Sequence, residues 1–94
     1  MKICQTIHDI RSTVSALRLH GTVGLVTTMG ALHAGHMALV RAASAAHPNV
    51  VATIFVNPSQ FGDPADLDTY PRTQAADLAM LKAAGVAAVF IPTV

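Results

Sequence analysis

Between Ile7 and Leu17 the apolar residues fall at Ile7, Ile10, Val14 and Leu17, spaced by three, four and three. That is one stripe of an α-helix. Thr6 stands where a side-chain oxygen caps the first turn, Asp9 holds the capping-box position, and Gly21 suits the stop. The pattern then becomes continuous. Val23 to Thr27 is short, apolar and β-branched, and predicts a buried strand. Leu39, Val40, Ala43 and Ala46 restore the helical period in a run from Met37 to Ala46, which His47-Pro48-Asn49 ends. Val50 to Phe55 is a second buried strand. A polar stretch from Asn57 to Arg72 follows, with three prolines and three aspartates. Thr73 can cap a third helix running to about Ala84, with Gly85 as its stop. Val86 to Ile91 is a third strand, closed by Pro92. Ile3 falls in a short edge strand ahead of the first helix.

Continuous apolar strands joined by helices predict an α/β fold, a parallel sheet covered by helices on both faces. Each crossover is expected to be right-handed. There are three main strands and three helices, without repeats, low-complexity segments or linkers. Ninety-four residues make one domain at most. The hydrophobic fraction of 52% is rich in alanine and suits Ala-rich helices on Val/Ile strands.

Charge removes several function classes. The net charge is +1, and Lys2, Arg11, Arg18, Arg41, Arg72 and Lys82 are scattered rather than striped. Nucleic acid is therefore not an expected partner. No run approaches the length of a membrane span, and the first residues lack the apolar core of a signal peptide. Cys4 is the lone cysteine of the sequence, which fits a reducing cytoplasm.

Candidate chemistry concentrates at the junction between the first main strand and the second helix. Thr28-Met29-Gly30-Ala31-Leu32-His33-Ala34-Gly35-His36 places two glycines and two histidines there. A helix N-terminus offers unpaired N–H groups and a positive dipole end to an anion. Gly30 and Gly35 have the spacing of a P-loop, but His36-Met37 stands where Lys-Ser/Thr belongs. What remains is His33-Ala34-Gly35-His36 at a helix start. Imidazole N–H groups can donate to phosphate oxygens and hold charge during transfer at phosphorus. Gly35 lets a phosphate approach the backbone, and His33 and His36 are close enough in sequence to reach one side of a turn.

Plainer uses exist. A strand–helix turn needs glycine, and histidines are common on surfaces. His33 and His36 could instead hold a metal with Asp63, Asp66 or Asp68, but the spacing is short and no metal site is expected. Asn57 and Gln60 follow the second main strand, so their loop and the glycine–histidine loop both leave carboxyl ends of strands. In open α/β sheets such loops line one ligand crevice. An amide side chain there can hold a hydroxyl and a carboxylate together. Asn57-Pro58 alone is also an ordinary loop start. Met37 and Met80 read as core fillers, and Met29 lies inside the loop. His8, His20 and His47 have no evident partner.

Three segments together resemble the pantothenate synthetases (pantoate–β-alanine ligases). They are Thr28 to His36, then Ile54-Phe55-Val56-Asn57-Pro58-Ser59-Gln60-Phe61, then Asp66-Leu67-Asp68-Thr69-Tyr70-Pro71-Arg72-Thr73. The first is shared with other HxGH nucleotidylyl transferases, and the other two are more selective. The resemblance implies a Rossmann-like nucleotide-binding domain, of which residues 1–94 are the N-terminal part, without the C-terminal lid domain. It implies ATP-dependent condensation of pantoate with β-alanine through pantoyl adenylate, giving pantothenate, AMP and pyrophosphate. Magnesium accompanies the ATP.

Carried over residue by residue, the resemblance puts Met29, Gly30, Ala31, Leu32, His33, Ala34, Gly35 and His36 at the ATP site. His36 is the proton-donating catalytic residue and His33 contacts phosphate. Gln60 binds pantoate and lies beside β-alanine, with Asn57 and Met29 in support. A cytoplasmic homodimer is implied for the full-length form. Other HxGH adenylyltransferases and a non-catalytic nucleotide-binding module are the alternatives. Thr27 stands where the family usually has proline, which loosens the approach to the loop. The later lysine-, glutamine- and Ser/Arg-bearing motifs of the family do not occur before Val94. These residues alone are therefore expected to have little or no ligase activity, and to self-associate through an uncovered sheet edge.

Overall fold

The computed structural model describes residues 1–55 and 74–92. Its element order is β1 (Lys2–Cys4), α1 (Ile7–Arg18), β2 (Val23–Thr28), α2 (Ala34–Ala46), β3 (Asn49–Ile54), α3 (Gln74–Ala83) and β4 (Ala88–Phe90). The strands form one sheet in the order β1-β4-β3-β2, and every neighbouring pair is parallel. The α/β class, the parallel sheet and the edge strand at Ile3 match the sequence reading.

Register sorts the strand residues onto two faces. Val26, Ala52, Val89 and Ile3 lie in one row across the sheet. This face, with Val50 and Ile54, packs against Val40 of α2 and Leu81 of α3, joined by Leu32, Met37, Ala43 and Leu78. The other face carries Cys4, Val51 and Ala88, all buried, and α1 lies over it. Cys4 is a free thiol there, its Sγ 3.5 Å from Thr13 Oγ1.

Helix ends follow local chemistry. Thr6 Oγ1 accepts the Asp9 N–H at 3.1 Å and starts α1, as its spacing predicts. That helix ends at Arg18, with Leu19 as its cap, before Gly21. Gly85, at φ +83°, ends α3: its N–H bonds the Lys82 carbonyl and the Val86 N–H bonds that of Leu81. This pair of bonds is a Schellman stop, which a residue with free access to positive φ makes cheaply. Thr73, the expected cap of α3, lies outside the described residues.

Three packing expectations change. Among the described residues β2 is the outermost strand of the sheet, and there Leu25 is 64% exposed while Val26 is buried. In α2 the inward seam is Met37, Val40 and Ala43, while Leu39 is 57% exposed. Helix α1 buries no residue fully, and Ile7 is 62% exposed although it continues the apolar stripe. In each case periodicity locates the element, but the position of its strand or helix in the sheet decides how much is covered.

Candidate functional site

The loop between β2 and α2 begins with Thr28, which joins two strand ends. Its Oγ1 donates to the Thr53 carbonyl at 2.8 Å and accepts the Gly30 N–H at 3.2 Å. Its own carbonyl accepts the Phe55 N–H at 3.0 Å. The chain after β3 therefore departs from beside the glycine–histidine loop. Asn57 and Gln60, on that departing segment, lie outside the described residues.

Gly30 and Ala31 then turn through the left-handed region, at φ +85° and +51°. For alanine this conformation costs roughly 1–2 kcal/mol. The turn is held by Asp77 of α3, whose Oδ2 accepts the Ala31 N–H at 3.0 Å and whose Oδ1 accepts the Leu32 N–H at 2.9 Å. Asp77 is 2% exposed, a buried carboxylate in the first turn of its helix, where the dipole favours negative charge. Sequence reasoning passes over it. In the sequence it is one acid near a helix start, and nothing local marks a bond to a loop more than forty residues earlier.

The two histidines start α2. His33 is the N-cap, and its Nδ1 accepts the Gly35 N–H at 3.1 Å. His36 reaches back, and its Nδ1 accepts the His33 N–H at 3.2 Å. The rings lie with centroids 4.1 Å apart and planes tilted by 45°. This is the reciprocal logic of a capping box, with imidazoles replacing the usual hydroxyl and carboxylate. The helix consequently starts at Ala34, three residues before the apolar period begins at Met37.

Two consequences bear on chemistry. A ring nitrogen that accepts carries no proton, so in this arrangement the N–H of each ring is at Nε2. Each therefore keeps one donor, Nε2–H, for something outside the loop. The second concerns the backbone donors. The N–H groups of Gly30, Ala31, Leu32, His33 and Gly35 are already bonded within the protein. At these five positions the backbone donors are engaged, and the side-chain donors that remain are the imidazoles. Gly35 still has a steric role: a Cβ there would stand 2.9 Å from His33 Cε1 and 3.1 Å from its Nδ1.

The expected site residues Met29 to His36 thus form one continuous structure. Met29 is half-buried, Leu32 packs on the core, and His33 and Gly35 are exposed. His47 does have a partner, Thr22 Oγ1 at 2.9 Å from its Nδ1. Among the described residues no group of His, Cys, Asp or Glu could hold a metal ion, and no helix is long and apolar enough to cross a membrane. An open groove along α1, lined by Ile7, His8, Arg11, Ser12 and Ser15, lies on a different element.

Fold and site together define a Rossmann-like α/β domain with an HxGH turn at the carboxyl end of a strand. A sequence profile described as Pantoate-beta-alanine ligase matches residues 2–94, and the chain belongs to that family. Pantothenate synthetase of Cereibacter sphaeroides is 54% identical over 91 residues, which are 96% of this chain and 33% of that protein. That of Rhizorhabdus wittichii is 54% identical over 95 residues, 100% of this chain and 34% of its own length. Among solved structures, the pantoate–β-alanine ligase of Francisella tularensis, complexed with Beta-gamma ATP and Beta-alanine, superposes with a TM-score of 0.90. It is 38% identical, with 98% of this chain and 35% of that one covered. Pantothenate synthetase of Thermus thermophilus gives a TM-score of 0.78 at 44% identity, covering 99% of this chain and 32% of the other. The chain spans about a third of the length of these relatives.

Proposed function

We propose that these residues are the N-terminal, nucleotide-binding part of a pantoate–β-alanine ligase. In the whole protein a pantoate carboxylate oxygen attacks the α-phosphorus of ATP. A P–O bond forms, the bridging α–β bond breaks, and pyrophosphate leaves. The β-alanine amine then attacks the acyl carbon of pantoyl adenylate. A C–N bond forms, the C–O bond to AMP breaks, and the amine gives up a proton.

The observation that carries this reading is the reciprocal cap of His33 and His36. It leaves two Nε2–H donors at one helix start. Aimed at phosphate oxygens, they hold the charge that builds as pyrophosphate departs, with His36 as the proton-donating residue. Met29 through His36 form the ATP side. Gln60, with Asn57 and Met29 in support, takes pantoate and adjoins the β-alanine position.

Magnesium belongs with the nucleotide as part of the substrate. The described residues do not fit it as a resident ion, because both Asp77 oxygens take backbone N–H groups. No step is routed through it. The same reading makes the whole protein a homodimer, as the family resemblance implies, and cytoplasmic, with which the free thiol of Cys4 agrees. It also gives the 94 residues alone little or no ligase activity.

Product chemistry tests the proposal. The full-length gene product, given pantoate, β-alanine and MgATP, should form pantothenate and AMP in equal amounts. Formation of ADP and phosphate, or no amide product, would overturn it.

A further inference from the structure

We propose that Asp77 is a positioning residue for nucleotide binding. Its carboxylate fixes the left-handed turn at Gly30 and Ala31, and so sets the direction in which His33 and His36 present their Nε2–H groups. The inference rests on the reading of that loop as the ATP phosphate site.

The geometry is specific. Two consecutive N–H groups, of Ala31 and Leu32, point at the two oxygens of one carboxylate, at 3.0 and 2.9 Å. Each oxygen takes one donor, and an amide side chain would set its NH2 against one of the N–H groups. Asp77 is almost wholly buried, so these bonds form away from competing water. The fit is close on the other side as well, since a Cβ on Gly30 would lie 3.3 Å from Asp77 Oδ2 and from Ile54 Cγ2.

What the carboxylate fixes is the base of the histidine turn. Ala31 is a non-glycine residue at φ +51°, a conformation that persists only where surroundings hold it. Leu32, next in sequence, packs on the core and anchors the same point. His33 follows directly and caps α2. The direction of the imidazole pair is therefore tied to α3, the helix that follows the Asn57–Gln60 segment in sequence. Asp77 acts through the loop and touches no substrate.

The test uses Asp77→Asn in the full-length gene product, with Leu81→Val as its control. Leu81 lies one turn along α3, is fully buried in the core and takes part in none of the hydrogen bonds that hold the loop. Asp77→Asn should weaken MgATP binding by about tenfold or more, while Leu81→Val, at a similar loss of thermal midpoint, stays within about twofold. Unchanged or tighter binding in Asp77→Asn overturns the inference, and so does an equal loss in the control. Hydrogen exchange on the unsubstituted protein tests it even if Asp77→Asn does not fold. The Ala31 and Leu32 amides should be protected with or without ATP, and free exchange in the unliganded protein overturns it. Failure of the unsubstituted protein to bind MgATP at all would instead sink the nucleotide-site reading.

Discussion

His36 Nδ1 accepts the backbone N–H of His33 at 3.2 Å, and the two rings lie 4.1 Å apart by their centroids. The pair that faces the proposed phosphate is thus also the pair that closes the helix. In the proposed function, structure and chemistry share the same two side chains, the cap using Nδ1 and the phosphate Nε2.

The proton positions follow directly. Both rings accept at Nδ1, so both should be Nε2–H tautomers in the unliganded protein. Long-range nitrogen–proton correlation spectra of the histidine rings at neutral pH read this without substitution. A Nδ1–H tautomer, or a doubly protonated ring, at either residue contradicts the assigned cap.

Capping and ligand binding should separate at His33. His33→Ala removes the N-cap and should cost about 0.5–2 kcal/mol of stability in denaturant unfolding. His33→Ser restores a capping oxygen and should recover much of that loss. Neither variant restores the Nε2–H donor, so both should bind MgATP more weakly. Full recovery of nucleotide affinity in His33→Ser would show that the ring acts only as a cap.

Gly35 gives a complementary case. Alanine is the better helix former at most positions, by roughly 0.5–1 kcal/mol. Here the added methyl would stand 2.9 Å from His33 Cε1, so the ring must move. Gly35→Ala should therefore change unfolding stability little while reducing MgATP affinity. The two are measured by chemical denaturation and calorimetric titration. Native affinity in a folded Gly35→Ala protein would mean that the ring position does not matter.

These residues also show what a sequence makes legible. Thr6 and Gly85 are readable because their bonds close within one turn of chain. Strand and helix order is readable because periodicity is local. The apolar period places the start of α2 too late, because His33 and His36 cap it and histidine is not a usual capping signal. The exposure of Leu25 among the described residues is not readable, since nothing within β2 says which strands flank it. Asp77 is hidden for the same reason: its partners, Ala31 and Leu32, are brought to it by the whole β2–α2–β3 crossover. The His33–Gly35–His36 motif points to phosphate, but the N–H groups of His33 and Gly35 are engaged within the turn, which leaves the imidazole Nε2 positions to donate.

The most direct test of the account is isotope exchange between labelled pyrophosphate and ATP, catalysed by the full-length gene product without β-alanine. Acyl-adenylate chemistry at the His33–His36 turn predicts exchange that requires pantoate and disappears when pantoate is left out. Exchange that proceeds equally without pantoate, or no exchange with pantoate and MgATP present, would contradict it.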